Sequence, residues 1–263
     1  MTTLYDVTLD LARHARGVQR HKISQVSTDG TLSSPTMENL SGEYVRGTVW
    51  FTTGNNAGKF TRIIRASNQN ITVDNTDLDE IEVGDVIMIC PWIDFGLTDL
   101  INAINSVLYR YPILAMDNSL TWNQGQLVYD IPEGVSDIRR VQIMNTNGDN
   151  TFTISHKWTE DRDGKLRFHS ESGLYAAGGE MQIYYRKLHG EVYEPDDEID
   201  PMVDTNYLRN MAFLYLWRTV LIHQHKDNPV AADLFNEAKL YESEYTKFNT
   251  PERKIMIRDF FVR

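Results

Sequence analysis

Residues 54–61 read Gly-Asn-Asn-Ala-Gly-Lys-Phe-Thr, the residue types of a phosphate-binding loop. That loop works by converging backbone N–H groups on phosphate oxygens at a helix N-terminus, with a lysine on the terminal phosphates and a Ser or Thr hydroxyl on magnesium. The spacing here does not fit that chemistry. Gly54 and Gly58 enclose three residues where the motif needs four, and Phe60 follows Lys59 where the hydroxyl belongs. The residues after Lys59 are β-branched and aromatic, so the glycines predict a hairpin turn.

Asp161, Asp163 and Gly164 resemble part of a calcium loop, but Thr159 occupies the first ligand position and Ser170 the position of the closing bidentate Glu. Asp163-Gly164 between two strand-like runs is a hairpin signal instead. The acidic run Glu194, Asp196, Asp197, Glu198 and Asp200 has two readings, a hard-cation site or carboxylates that cap a following helix and complement its dipole. His223 and His225 are two apart, which on a helix turns them away from each other, whereas a metal pair needs a spacing of three or four. The remaining histidines, His14, His21, His156, His169 and His189, stand in no nucleophile context. Cys90 reads as a buried thiol at a strand end, consistent with folding in a reducing cytoplasm. Paired carboxylates for glycoside hydrolysis are defined by separation in space, which sequence spacing does not fix. No catalytic, cofactor-binding or metal residue is assigned, no cofactor is expected, and the sequence makes no positive case for an enzyme.

The chain has 263 residues, a 41% hydrophobic content sufficient for an ordinary core, and a formal net charge of -11. That charge argues against gripping nucleic acid by phosphate neutralisation, which needs clustered Lys and Arg. An acidic wall repels a duplex and suits a conduit better than a clamp. The longest apolar run near a helix, residues 211–217, is far short of the roughly 20 residues of a membrane span. No basic-then-apolar leader opens the chain, since Asp6 and Asp10 interrupt the apolar positions.

The elements follow from periodicity. Leu4, Val7, Leu11, Ala15 and Val18 predict an amphipathic helix stopping near Gly17, and the polar stretch 21–42 reads as a connection. Runs at 48–51, 59–64, 71–73 and 85–90 predict a small antiparallel module. Leu97, Leu100, Ile101, Ile104, Val107 and Leu108 form the stripe of a second helix over 95–109, ended by Tyr111-Pro112. Alternating runs at 126–132, 138–143, 152–155, 165–168 and 181–185 predict a meander or sandwich-like sheet. Asp200-Pro201 introduces a helix apolar on more than one face, and Asn228-Pro229 opens another carrying Leu234, Ala238, Tyr241, Tyr245 and Phe248.

The expected fold class is therefore α+β: a helical bundle of an N-terminal helix, a central helix and two C-terminal helices, with a central antiparallel sheet and a small inserted β module. The expected divisions are 1–42 for the first helix and connection, 43–92 for the inserted module and 93–116 for the central helix. They continue with 117–192 for the antiparallel β domain, 193–249 for the C-terminal helical pair and 250–263 for an extended arm.

The wording of residues 47–59, Gly-Thr-Val-Trp-Phe-Thr-Thr-Gly-Asn-Asn-Ala-Gly-Lys, resembles phrases in virion proteins of tailed bacteriophages. Leu100-Ile101-Asn102-Ala103-Ile104-Asn105 and residues 207–248 resemble the bundle of phage head-to-tail adaptor, or connector, proteins, a family that includes the tubular adaptor of short-tailed phages. The resemblance implies a structural virion protein at the neck between capsid and tail, assembled in the host cytoplasm. It further implies a homo-oligomeric ring, expected at twelve copies, seated beneath the portal protein and receiving tail or tail-tube proteins. Double-stranded DNA would pass through the lumen without sequence-specific binding, and no membrane is involved. Another tail component, a tail terminator or baseplate protein, is the first alternative. A glycan-binding or glycan-cleaving virion protein using Trp50, Trp92, Trp122 or Trp158 as stacking platforms is the second.

The interface residues expected on this reading are Phe213, Tyr215 and Trp217 in the helices, with Ile255, Ile257, Phe260 and Phe261 in the arm. Arg253, Lys254 and Arg258 make that arm locally basic on an acidic protein, which favours contact with acidic neighbours. Its adjacent phenylalanines would each lose roughly 1.5–3 kcal/mol if left in water, so the arm is expected to dock, on its own sheet or on another subunit.

Overall fold

The computed structural model describes residues 1–221 apart from 16–17, 39, 93–94, 146–150, 162, 170–174 and 176, together with residues 233, 236, 239 and 240. Two compact units emerge. Among the described residues, Met1–Tyr111 and the chain returning at Gly190 form unit 1, and Pro112–His189 form unit 2. The first pass through unit 1 gives β1 (Thr2–Thr3), α1 (Leu4–Ala15), β2 (Gln19–Lys22), β3 (Gln25–Val26), β4 (Thr31–Ser33), β5 (Thr48–Phe51), β6 (Phe60–Ser67), β7 (Asn70–Val73), β8 (Val86–Cys90) and α2 (Leu97–Leu108). Unit 2 holds β9 (Pro112–Trp122), β10 (Val128–Asp130), β11 (Ile138–Met144), β12 (Phe152–Ser155), β13 (Trp158–Asp161), β14 (Lys165–Phe168) and β15 (Gly179–Leu188). The chain then returns to unit 1 as β16 (Glu198–Ile199) and α3 (Thr205–Leu216).

Seven strands of unit 1 follow the order β2-β8-β5-β6-β7-β4-β3. Only Ile23 and Ser24 separate β2 from β3, and they serve opposite seams. Ile23 donates its N–H to the Asp85 carbonyl at 2.8 Å, while Ser24 donates to Ser33 at 2.8 Å. The sheet therefore curls, and one bent strand joins its two end strands, β2 and β3, into a small barrel. The interior is filled by Ile23, Leu32, Met37, Leu40, Val49, Phe51, Ile63, Ile71, Val73, Ile87 and Ile89. Gly47 opens β5 where no side chain fits, because a Cβ there would lie 2.4 Å from the Cys90 carbonyl oxygen.

All four residues of β5 are buried, which period-two alternation allows only if both faces are covered. Val49 and Phe51 face the barrel interior. Trp50 points the other way and donates its indole N–H to Thr8 Oγ1 on α1 at 3.1 Å, and Tyr5 Oη donates to the Phe51 carbonyl at 2.9 Å. The helix thus lies on the outside of the barrel wall. α2 packs against α3, and α1 against both.

Unit 2 sets a four-stranded sheet, β12-β11-β15-β9, and a three-stranded sheet, β10-β14-β13, over a shared core. Trp122, Tyr129, Val141, Ile143, Leu166, Phe168, Met181 and Ile183 supply that core from both sheets, as a sandwich requires.

The expected four-helix bundle is wrong. The chain is mostly β-sheet, 39% strand and 23% helix, with three helices named among the described residues. The error has two physical sources. Residues 21–42 look polar and read as a connection, yet Ile23 and Leu32 lie buried in the barrel and β2, β3 and β4 complete its wall. Likewise the proline that stops α2 begins an eleven-residue strand, β9, whose pairing with β15 runs from Pro112 opposite Leu188 to Trp122 opposite Gly179. Of the last expected helix, only Asp233, Asn236, Lys239 and Leu240 are described, and they are helical.

Candidate functional site

The residues singled out for contacts begin on α3. Asp204 caps this helix, its carboxylate accepting the Asn206 and Tyr207 N–H groups at 2.9 and 3.2 Å. This satisfies two of the four donors a helix N-terminus leaves open. Beyond the cap, Leu208, Ala212, Phe213, Leu214 and Leu216 are buried. Phe213 is fully buried and meets the His14 ring of α1 edge-on, at 5.1 Å between centroids. Trp217 is 5% exposed, in the π-helical turn Trp217–Leu221 that follows, while Tyr215 is half-buried. Phe213 and Trp217 therefore belong to the interior of unit 1, where they hold helices together. Arg253, Lys254, Ile255, Ile257, Arg258, Phe260 and Phe261 lie outside the described residues, as do His223 and His225.

Around this helix the polar contacts are specific. Arg209 on α3 reaches Asp10 on α1 at 3.2 Å, and Tyr111 lies 5.4 Å from Tyr207, ring to ring. Asn105 on α2 clamps the returning chain, donating Nδ2–H to the Val192 carbonyl and accepting the Val192 N–H, both at 2.9 Å. The Asp99 carboxylate accepts the Gly96 N–H at 2.8 Å and caps α2.

The carboxylates of the acidic run do not cap the helix that follows, which Asp204 caps instead; the run meets the start of α1 through its backbone. Its backbone carbonyls at Asp197 and Pro195 accept the Leu4 and Tyr5 N–H groups at 2.9 and 3.0 Å, so it closes the N-terminus of α1. β1 and β16 pair antiparallel to bring the two together. The Asp197 carboxylate accepts the Tyr193 and Glu194 N–H groups, and these two hydrogen bonds hold its pKa below the usual carboxylate range. Asp200 accepts the Met202 N–H at 2.9 Å.

Near this run opens a cleft of 620 Å³ in unit 1, with Lys59, Arg62, Asp74, Asp77, Glu194 and Asp196 among its lining. Several of these charges are engaged within the fold. Lys59 pairs with Asp79 at 2.7 Å, and Arg62 donates to Thr98 at 2.8 Å. The Asp74 carboxylate accepts from the Thr76 hydroxyl and N–H, which lowers its pKa. Among the described residues no three His, Cys, Asp or Glu side chains converge in a way that could hold a metal ion.

The chemistry-like motifs resolve into turns. Gly54 and Gly58 adopt φ of 81° and 87° in the β5–β6 hairpin, and Gly164, at φ 70°, turns β13 into β14 with its N–H donated to Asp161 at 3.1 Å. Two of the four tryptophans offered as stacking platforms are interior: Trp50 is fully buried, and Trp122 lies among Tyr129, Phe168 and Tyr175 at 5.0–5.9 Å. Trp158 is half-buried and donates to the Ser155 carbonyl. Trp92 is 43% exposed, with the Arg46 guanidinium 5.5 Å from its ring centroid.

Sequence reasoning missed one polar constellation. His21 is buried in the barrel wall, with Nδ1 2.9 Å from Thr36 Oγ1 and Nε2 3.3 Å from Gln19 Oε1. Thr36 in turn meets Ser34 Oγ at 2.9 Å, and Ser34 is itself buried. Desolvation pushes the His21 pKa below its ordinary value. The available signal was the alternation of Gln19, His21 and Ile23, which places His21 on the same face as a core isoleucine.

Among the described residues no helix is long and apolar enough to cross a membrane. No protein-family description matches this chain, and no curated protein matches it either.

Proposed function

We propose that this chain is a structural protein of a tailed-phage virion, a ring-forming head-to-tail adaptor that docks under the portal, extends the DNA channel and receives the tail. The observation that carries this reading is the placement of the two adaptor-like stretches. Residues 100–105 lie on α2 and the stretch from Tyr207 begins on α3, and these helices pack against each other in unit 1. Asn105, the last residue of the first stretch, bonds to Val192 in the chain returning toward α3.

Two further features support it. Tyr109, which ends α2, and Met202, ahead of α3, are 64% and 54% exposed, two large side chains that a neighbour could cover. The net charge of -11 makes the subunits repel one another, so cohesion has to come from such apolar contacts, while a negative wall keeps passing DNA from sticking.

Cross-linking with mass spectrometry on virions that carry the chain tests the proposal. The expected cross-links join copies of this chain to each other and to the portal. Cross-links confined to baseplate or tail-tip proteins would overturn it, as would a chain absent from finished particles.

A further inference from the structure

We propose that β9 is a docking edge for residues 251–263 of a second copy of this chain, which add to unit 2 as a further strand. The inference rests on the ring-forming reading above and names the surface that joins neighbours. β9 has eleven residues, and at about 3.3 Å per residue its edge is roughly 36 Å long. One side of it pairs with β15, and among the described residues the other side carries no strand.

Soluble proteins blunt an open edge with charges, prolines or bulges, because unpaired N–H and C=O groups recruit other strands. β9 begins with one such guard, Pro112, and carries the others in its middle. The register shifts between the Met181 and Ile183 pairings, opposite Leu120 and Asp117, and the Asp117 carboxylate folds back to accept the Ser119 N–H and hydroxyl at 3.0 and 2.7 Å. The half before this bulge, Pro112, Ile113, Leu114, Ala115 and Met116, contains no charged residue. Met116 is 49% exposed there, opposite the half-buried Tyr184 on β15. An uncharged, apolar edge of this kind is an aggregation hazard unless a specific strand covers it.

Residues 251–263 fit as that strand. They number thirteen, which at about 3.3 Å each extend to roughly 43 Å, enough to run the length of β9. After Pro251 they contain no proline or glycine, and Ile255, Met256 and Ile257 between Lys254 and Arg258 suit an apolar edge. Their four basic residues outnumber Glu252 and Asp259. The carboxylates at the edge are Asp117 and, on neighbouring β15, Glu180, which accepts from Gln182 at 3.1 Å. Adding a strand from the next subunit is a heterologous, directional contact, the kind that closes into a ring.

Disulfide trapping between full-length chains tests this. One chain carries Met116→Cys. Five others carry Lys254→Cys, Ile255→Cys, Met256→Cys, Ile257→Cys or Arg258→Cys. Each is mixed with the first and oxidised, with the native Cys90 buried and out of reach. A disulfide needs Cα atoms about 4.4–6.8 Å apart, so a paired strand should cross-link between chains at alternate positions, at least tenfold more at one parity than the other. Equal reactivity at all five positions, or no bond between chains, overturns the proposal. So does ring closure within a single doubly substituted chain on dilution, which would mean the segment pairs with its own copy. The virion cross-links to the portal decide the adaptor reading separately, so either idea can fail while the other stands.

Discussion

Replacing Phe213 by alanine separates a side chain that builds the subunit from one that joins subunits. Phe213 is fully buried within unit 1 and contacts the His14 ring edge-on at 5.1 Å. Removing a buried phenylalanine costs about 3–5 kcal/mol in lost transfer energy and cavity formation. The aromatic contact accounts for roughly 0.5–1.5 kcal/mol of such a loss. A native state holds only about 5–15 kcal/mol in total, so Phe213→Ala should consume a large part of it. For a chain of this size each kcal/mol shifts Tm by about 2–4 °C, which puts the expected drop at roughly 6–20 °C. Scanning calorimetry and urea unfolding followed by tryptophan fluorescence give the number directly. A loss below about 1 kcal/mol together with failed ring assembly would refute the reasoning, because it would place the phenyl ring at a contact between copies.

Two other substitutions probe the barrel. Gly47→Ala sets a methyl 2.4 Å from the Cys90 carbonyl oxygen and 2.8 Å from that of Tyr44. Neither atom belongs to a movable side chain, so urea unfolding should show a loss of about 3 kcal/mol, the upper end of overpacking costs. Gly58→Ala, at φ 87° with nothing within 4 Å, should lose only the roughly 1–2 kcal/mol of a left-handed residue, and equal losses would contradict the packing argument. His21 is held neutral by burial, with its folded pKa below the ordinary 6.5. The unfolded chain then binds the proton first, so stability is complete above about pH 6.5 and declines as pH falls from there toward the folded pKa. Urea midpoints from pH 7.5 to 5 should fall for the natural chain and fall less for His21→Gln, and parallel slopes would reject the assignment.

Much of the local structure was legible because it rests on short-range rules. The stripe from Leu97 to Leu108 became α2, the glycines at 54 and 58 became a hairpin, and Asp163-Gly164 became the turn between β13 and β14. What stayed hidden is set by distant partners. Gln19, Arg20, His21 and Lys22 show no strand-like apolar alternation, and they become β2 because Val86, Ile87, Met88 and Ile89 across the ladder supply the hydrogen bonds. Trp50 looked available as a platform because its outward face in a strand is the solvent face of an isolated module. Only α1, forty-two residues earlier at Thr8, buries it. The acidic run misled as capping chemistry, because backbone carbonyls at Pro195 and Asp197, whose side chains play no part, meet the helix beginning at Leu4.

The return of the chain to unit 1 after completing unit 2 imposes an order on synthesis. Every strand of the barrel lies between residues 19 and 90, so that body can close as soon as Cys90 has cleared the ribosome. The greasy flanks of α1 and α2, however, wait for α3, which is translated only after the whole of β9 through β15. A nascent molecule therefore carries a finished barrel and a finished sandwich beside two helices still lacking their third. During that interval those helices are where a chaperone would bind, or where two incomplete molecules would wrongly associate.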